Sequence, residues 1–178
     1  MNIIGVDAST KSTGVSVFIE NKFEKYELIR SSDENPYKRI EYMYKNIKDI
    51  VCKYDINYIF IENVPLSKTI NKQVAEHLLV LQGTILSIAI EKNCGIIPMP
   101  PSNWRKLANV KAEGRKREDQ KKAAIQIVRE KYNIQLKWES NSLDIKTGDS
   151  DIAESILIGV AGIKYLDNLD ITGKKMKN

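Results

Sequence analysis

Asn2-Ile3-Ile4-Gly5-Val6-Asp7-Ala8-Ser9-Thr10-Lys11-Ser12-Thr13-Gly14-Val15-Ser16-Val17-Phe18-Ile19 is the stretch on which the fold turns. Ile3 to Val6 carry no polar alternation, which predicts a strand buried on both faces. The run ends on a single carboxylate, Asp7. Ala8 to Gly14 is a cluster of small and polar residues and reads as a tight turn, with Val15 to Ile19 as the returning strand. A carboxylate at the end of a buried strand is costly unless it is paired, hydrated or metal-bound. Asp7 therefore requires partners from elsewhere in the chain.

Outward from this hairpin, Lys22 to Arg30 mixes polar and apolar residues and predicts a more exposed third strand, turned at Glu20-Asn21. Residues 3–30 thus read as an antiparallel meander. Past a polar loop, Tyr37, Ile40, Tyr44, Ile47, Ile50 and Val51 recur at helical spacing, which predicts an amphipathic helix to about Lys53. Asn57 to Glu62 is a further apolar strand that also ends on one carboxylate, closed by Pro65. Residues 70–92 form the longest helical segment. Val74, Leu78 to Leu81, Ile85, Leu86 and Ile88 to Ile90 leave it little polar face, so it needs cover on two sides, from the sheet and from a second helix or subunit.

Gly95 to Pro98 reads as a short strand, and Ser102 as the cap of a short helix over 103–107. A basic stretch leads into a helix ending near Tyr132. A polar loop over 137–148 precedes a last helix, opened by Asp149 and running to about Tyr165. This order predicts a mixed α/β sheet with helices on its faces, as one domain over 1–172 with a basic tail over 173–178. Strands 3–6 and 57–62 are expected to be parallel neighbours, which delivers Asp7 and Glu62 to one edge of the sheet.

Composition narrows the class. Of 178 residues, 42% are hydrophobic and 29% charged, which is globular rather than disordered. No uninterrupted apolar run reaches the roughly 18 residues of a membrane span, and the N-terminus has none of the marks of a secretory leader. Cys52 and Cys94 are isolated and read as reduced. The expectation is a cytoplasmic protein with no membrane partner. Residues 102–122 hold eight Lys/Arg against three Asp/Glu, a net +5 equal to that of the whole chain. Such density beside Trp104 suits phosphate neutralisation, although a solvated charged face has the same composition. The candidate DNA contacts are Arg105, Lys111, Arg115, Lys116, Arg117 and Lys122, together with Lys68, Thr69, Asn71 and Lys72 in the stretch after Glu62. His77, Tyr42, Tyr44 and Trp138 read as packing residues.

Asp151 and Glu154 stand three apart at the start of the last helix, which puts them on one face. An acidic first turn also suits the helix dipole without any further role. The joint pattern of two strands each ending on one carboxylate, and an acidic helix start, points to a shared site. Four gathered carboxylates repel unless cations fill the gap. Hard oxygen donors suit Mg²⁺ or Mn²⁺, and no Cys/His cluster offers a zinc alternative. Two such ions about 4 Å apart activate water and stabilise a leaving oxygen in phosphodiester cleavage.

With these residues in view, the chain resembles the RuvC-type Holliday junction resolvases of the RNase H-like nuclease superfamily. Ile-Ile-Gly-Val-Asp7 followed by Ser/Thr-Gly-Val resembles the first family motif, Tyr-Ile-Phe-Ile-Glu62-Asn63 the second, and Asp151-Ile-Ala-Glu154-Ser-Ile-Leu-Ile-Gly the third. The resemblance implies an RNase H-like mixed five-stranded sheet flanked by helices. It implies Asp7, Glu62, Asp151 and Glu154 as ligands of two Mg²⁺ ions per site, with Mn²⁺ able to substitute. It implies a homodimer packed through residues 70–92 that nicks opposed strands of a four-way junction, leaving 5′-phosphate and 3′-hydroxyl ends. Lys121 occupies the place of a family lysine near the catalytic centre, with Arg117 or Lys122 as substitutes. Glu154 departs from the pattern, since an aspartate is common there, and Asp149 competes for the loop-side ligand behind Asp151.

Three rival functions fit parts of the sequence. The first loop also resembles the phosphate loop of sugar-kinase and actin-like phosphotransferases, but the second domain and glycine-rich adenosine motif are missing. A non-cleaving nucleic-acid-binding module would not need four acids. A nuclease of the same fold acting on flaps, replication forks or structured RNA remains open.

Overall fold

A computed structural model describes residues 1–64, 71–114, 116–137 and 149–175, with side chains as far as Leu169. Lys68, Thr69, Arg115, Trp138 and the closing Pro65 lie outside the described residues, as does most of the polar loop over 137–148. The elements run β1 (Ile3–Asp7), β2 (Ser12–Ile19), β3 (Lys22–Arg30), α1 (Pro36–Lys53), β4 (Tyr58–Glu62), α2 (Lys72–Lys92), β5 (Gly95–Met99), α3 (Pro101–Leu107), α4 (Arg117–Tyr132) and α5 (Asp149–Lys175).

The strands form one five-stranded sheet in the order β3-β2-β1-β4-β5. The meander is antiparallel, and β1 pairs with β4, and β4 with β5, in parallel. The expected parallel neighbours are therefore adjacent. Glu20 and Asn21 turn the β2–β3 hairpin with positive φ angles of 51° and 65°, the conformation that matches the twist of a tight hairpin.

Alternation along the strands sorts two cores. Ile4, Val6, Val15, Val17, Ile59 and Ile61 meet Met43 and Ile47 of α1 and Leu81, Ile85 and Ile88 of α2 on one face. Ile3, Phe18 and Phe60 meet Trp104 of α3, Val128 of α4 and Ile156 of α5 on the other. Each fully buried aliphatic side chain contributes about 1.5–3 kcal/mol. α5 is apolar nearly all round because it lies between the sheet and α3 and α4; Ile152, Ala153, Ile156, Leu157 and Ile158 are all buried.

Several boundaries depart from expectation. β2 begins at Ser12, so the first turn is shorter than Ala8 to Gly14, and Gly14 pairs with Asp7 inside the sheet. A methyl group on Gly14 would run into the Asp151 carbonyl, and one on Gly5 into the Ser155 carbonyl. Bare backbone at these two places lets the first turns of α5 lie directly on β1 and β2. α3 begins at Pro101, with Pro100 ahead of it, so Ser102 lies inside the helix rather than capping it. Proline at the first helical position needs no N–H there. α5 continues to Lys175, beyond Tyr165 and into the first residues of the expected tail.

α2 begins one residue after Asn71, whose side chain accepts from the N–H groups of Gln73 and Val74 and so caps the helix. By length and composition alone α2 matches a membrane-spanning helix, with mean hydropathy 1.4 over its most apolar window. Its place is different. It is the crossover between adjacent parallel strands β4 and β5, and Leu81, Ile85 and Ile88 seal one face of the sheet. Withdrawing it into a bilayer would uncover that core.

Candidate active site

Strand alternation decides where the acids go. Ile3, Gly5 and Asp7 share the sheet face covered by α5, and so do Phe60 and Glu62. Val6 lies opposite Ile61 in the parallel register, so Asp7 and Glu62 sit side by side at the carboxyl edge. The first turns of α5 cross this edge on the bare backbone of Gly14, bringing Asp151 and Glu154 to Asp7. One carboxylate oxygen from each of Asp7, Asp151 and Glu154 lies within 4.8 Å of the others.

Glu62 stands beside this group rather than within it. Its Oε2 accepts from the indole Nε1–H of Trp104 at 2.6 Å, and its backbone carbonyl accepts from Gln82 Nε2 at 2.7 Å, tying the end of β4 to α2. Asp151 is held from two sides: Ser12 Oγ donates to Oδ2 at 2.8 Å, and Ser150 Oγ donates to Oδ1 at 3.2 Å. Asp149 is engaged elsewhere, accepting from the backbone N–H of Lys137. Of the two candidates for the loop-side position, Asp151 is the one whose carboxylate lies with those of Asp7 and Glu154.

Lys121 is buried at 6% exposure and lies against these carboxylates. Its Nζ donates to Ser150 Oγ at 2.9 Å and lies 3.7 Å from Asp151 Oδ1 and 3.9 Å from Glu154 Oε2. Arg105 turns inward as well. Its Nη2 meets Glu154 Oε1 at 3.2 Å, and its guanidinium sits 4.7 Å from the centre of the Trp104 ring. Its Nε is buried with no acceptor among the described residues. Lys72, Lys111, Lys116, Arg117 and Lys122 are exposed, and the charge of Arg117 reaches Glu62. His77 packs edge-on against Tyr37, ring centres 5.6 Å apart, between α1 and α2.

The electrostatics record the crowding. Burial above all, then the charges of Glu154, Asp151 and Glu62, pushes the Asp7 carboxyl well above the ordinary range, with Lys121 opposing. Burial raises Glu62 too, and Glu154 adds to it. The Trp104 hydrogen bond and the charges of Arg105 and Arg117 pull the other way. At this edge the four carboxylates of Asp7, Glu62, Asp151 and Glu154 are in contact with two cations among the described residues, Lys121 and Arg105, and the carboxylate donors are all oxygen. That donor set fits a hard divalent cation. Trp104, Ser12 and Ser150 were not singled out from the sequence as site residues, because each supports a carboxylate through a hydrogen bond that residue type alone does not announce.

This edge and this sheet define an RNase H-like fold with an acidic centre at its carboxyl end. The sequence matches no protein-family model and no curated protein. Among solved structures, the chain is similar to RuvC of Thermus thermophilus in complex with a Holliday junction substrate, at TM-score 0.71 and 13% identity over 94% of this chain and 95% of that one. It is similar to a second Thermus thermophilus RuvC structure at TM-score 0.66 and 14% identity, over 94% and 96%. It is similar to the yeast mitochondrial Holliday junction resolvase at TM-score 0.56 and 13% identity, over 98% and 84%. At these identities the likeness is one of fold.

Proposed function

We propose that this chain is a structure-specific endonuclease that resolves four-way DNA junctions with Mg²⁺, for which Mn²⁺ substitutes, leaving 5′-phosphate and 3′-hydroxyl ends. The observation that carries this reading is the convergence of Asp7, Asp151 and Glu154 oxygens within 4.8 Å, on a fold similar to a RuvC bound to a Holliday junction. Asp7, Asp151, Glu154 and the adjoining Glu62 would hold two divalent ions. Such ions supply activation of water and charge stabilisation at the leaving oxygen. The chain's own residues do the rest. Ser12 and Ser150 orient Asp151, and Lys121 supplies positive charge beside the reacting phosphate. The exposed cations Lys72, Lys111, Lys116, Arg117 and Lys122 lead the duplex arms to the edge.

Function as a homodimer through α2 is part of the reading, because α2 carries an outward apolar face that the sheet does not cover. Free Cys52 and Cys94 accord with a cytoplasmic protein.

The test is cleavage of synthetic four-way junctions, flaps and linear duplex with Mg²⁺. Junctions should be cut in symmetric pairs of nicks and linear duplex left intact; equal cutting of linear duplex would refute the junction assignment. A second experiment addresses the basic segment. Lys116→Glu with Arg117→Glu should weaken junction binding and lower the slope of log affinity against log salt by about one for each phosphate no longer neutralised. An unchanged slope would return this segment to a merely solvated face.

A further inference from the structure

Two consecutive residues of α3 grip two acids that come from different parts of the chain. Trp104 holds Glu62 of β4, and Arg105 holds Glu154 of α5. The indole is fully buried in the core beneath the edge and capped by the Arg105 guanidinium, so its ring cannot swing. An indole offers a single N–H and no acceptor, so its one polar commitment is the 2.6 Å bond to Glu62 Oε2. That bond takes up one lone pair of Oε2 and fixes the rotation of the carboxylate.

We infer that Trp104 is a positioning residue of the metal centre: by holding Oε2, it fixes the orientation in which the Glu62 carboxylate is presented to a divalent cation. The inference rests on the metal reading above and adds to it a residue through which Glu62 acts. Carboxylates that ligate metals are themselves hydrogen-bonded, and loss of such a partner typically lowers metal affinity 10- to 100-fold. Trp104→Phe keeps a buried ring and removes only the N–H and the second ring.

The test is Mn²⁺ titration of the full chain followed by electron paramagnetic resonance, with no DNA present. Trp104→Phe should weaken Mn²⁺ binding by about 10- to 100-fold. Glu62→Gln should weaken it at least as much, and the double variant should bind no more weakly than Glu62→Gln, because the indole acts through Glu62. Undiminished binding by Trp104→Phe overturns the inference, and so does an additive loss in the double variant. Wild-type protein that binds no Mn²⁺ overturns the metal reading and the inference with it, a result distinct from both.

A second measurement covers a Trp104→Phe protein that fails to fold. In ¹⁵N-labelled protein carrying Trp138→Phe, the one remaining indole resonance reports Trp104 directly. It should move on addition of Mg²⁺ and shift upfield in Glu62→Gln; a resonance indifferent to both refutes the assignment.

Discussion

Asp7→Asn is expected to leave junction binding intact while lowering strand cleavage by about 1,000-fold, the equivalent of several kcal/mol of lost charge stabilisation at the reacting phosphate. The same substitution should make the metal-free protein more stable. Burial, and then Glu154, Asp151 and Glu62, raise the Asp7 carboxyl well above its ordinary range in the folded state. In the unfolded chain Asp7 ionises at its ordinary value, around 4. Between that value and the raised one, the folded state binds the extra proton, so stability falls as pH rises through this window. Above the ordinary carboxylate range the folded chain carries the cost of this unfavourable site, whether by ionising Asp7 in place or by holding its proton, and asparagine removes that cost. In chelator, Asp7→Asn should therefore melt above the wild type at pH 7 to 8, with the gap closing as pH falls toward 4. Added Mg²⁺ should raise the melting temperature of the wild type, since a ligand of the native state stabilises it, and should do so little in the variant. Cleavage at the wild-type rate would refute the ligand assignment. A lower melting point in chelator would show that Asp7 is a structural anchor rather than a strained site residue.

The parts of this fold legible in sequence are those that a run of side chains determines locally. Ile3 to Asp7 and Tyr58 to Glu62 are apolar runs that stop on an acid. Parallel pairing of two such strands is enough to predict that their acids meet at one edge, as they do. The width of the first turn was not legible, because Ser12, Thr13 and Gly14 have turn-like composition. They form strand because pairing with β1 and β3 overrides propensity, and because Gly14 must admit the Asp151 backbone. The reach of α5 past Tyr165 was hidden for a related reason. After the buried Leu166, Asp167, Asn168 and Leu169 are exposed, so the apolar signal fades while the helix continues.

Within the candidate site, the sequence pointed to the acids and, through the resemblance, to Lys121, but not to Trp104, Ser12 or Ser150 as their hydrogen-bond partners. Trp104 is 42 positions from Glu62, and nothing in the pattern of either segment links an indole N–H to that carboxylate. Arg105 entered the group of candidate DNA-binding residues on charge density, yet it faces Glu154 and the Trp104 ring. A count of charges has no direction. Asn71, a candidate phosphate contact on the same grounds, caps α2 through its side-chain oxygen.

Leu86→Asp with Ile90→Asp is expected to turn a dimer into a monomer and to uncouple the two nicks. α2 carries Leu79, Gly83, Leu86 and Ile90 in steps of four, three and four, the spacing of a helix–helix seam. Leu79, Leu86 and Ile90 are 46%, 44% and 73% exposed, and Gly83 has open space where a side chain would stand. The opposite face of the helix is fully spent on the sheet through Leu81, Ile85 and Ile88. An outward apolar stripe of this kind marks an interaction surface. A second copy related by a two-fold axis would present the same stripe in return, and Gly83 would let the two helices approach closely at their crossing. Burying these side chains would contribute on the order of 1.5–3 kcal/mol for each fully covered one. Two aspartates per copy at the seam would replace that gain with desolvated like charges. Because Leu86 and Ile90 lie outside both cores, the variant should keep the far-ultraviolet circular dichroism of the wild type. Sedimentation velocity should show a dimer for the wild type and a monomer for the variant at the same micromolar concentration. On a supercoiled plasmid with an extruded cruciform, the wild type should yield linear product from paired cuts, and the variant nicked circles from single ones. A wild type that sediments as a monomer at every concentration, or a variant that still gives linear product, would mean that α2 does not join the two active sites.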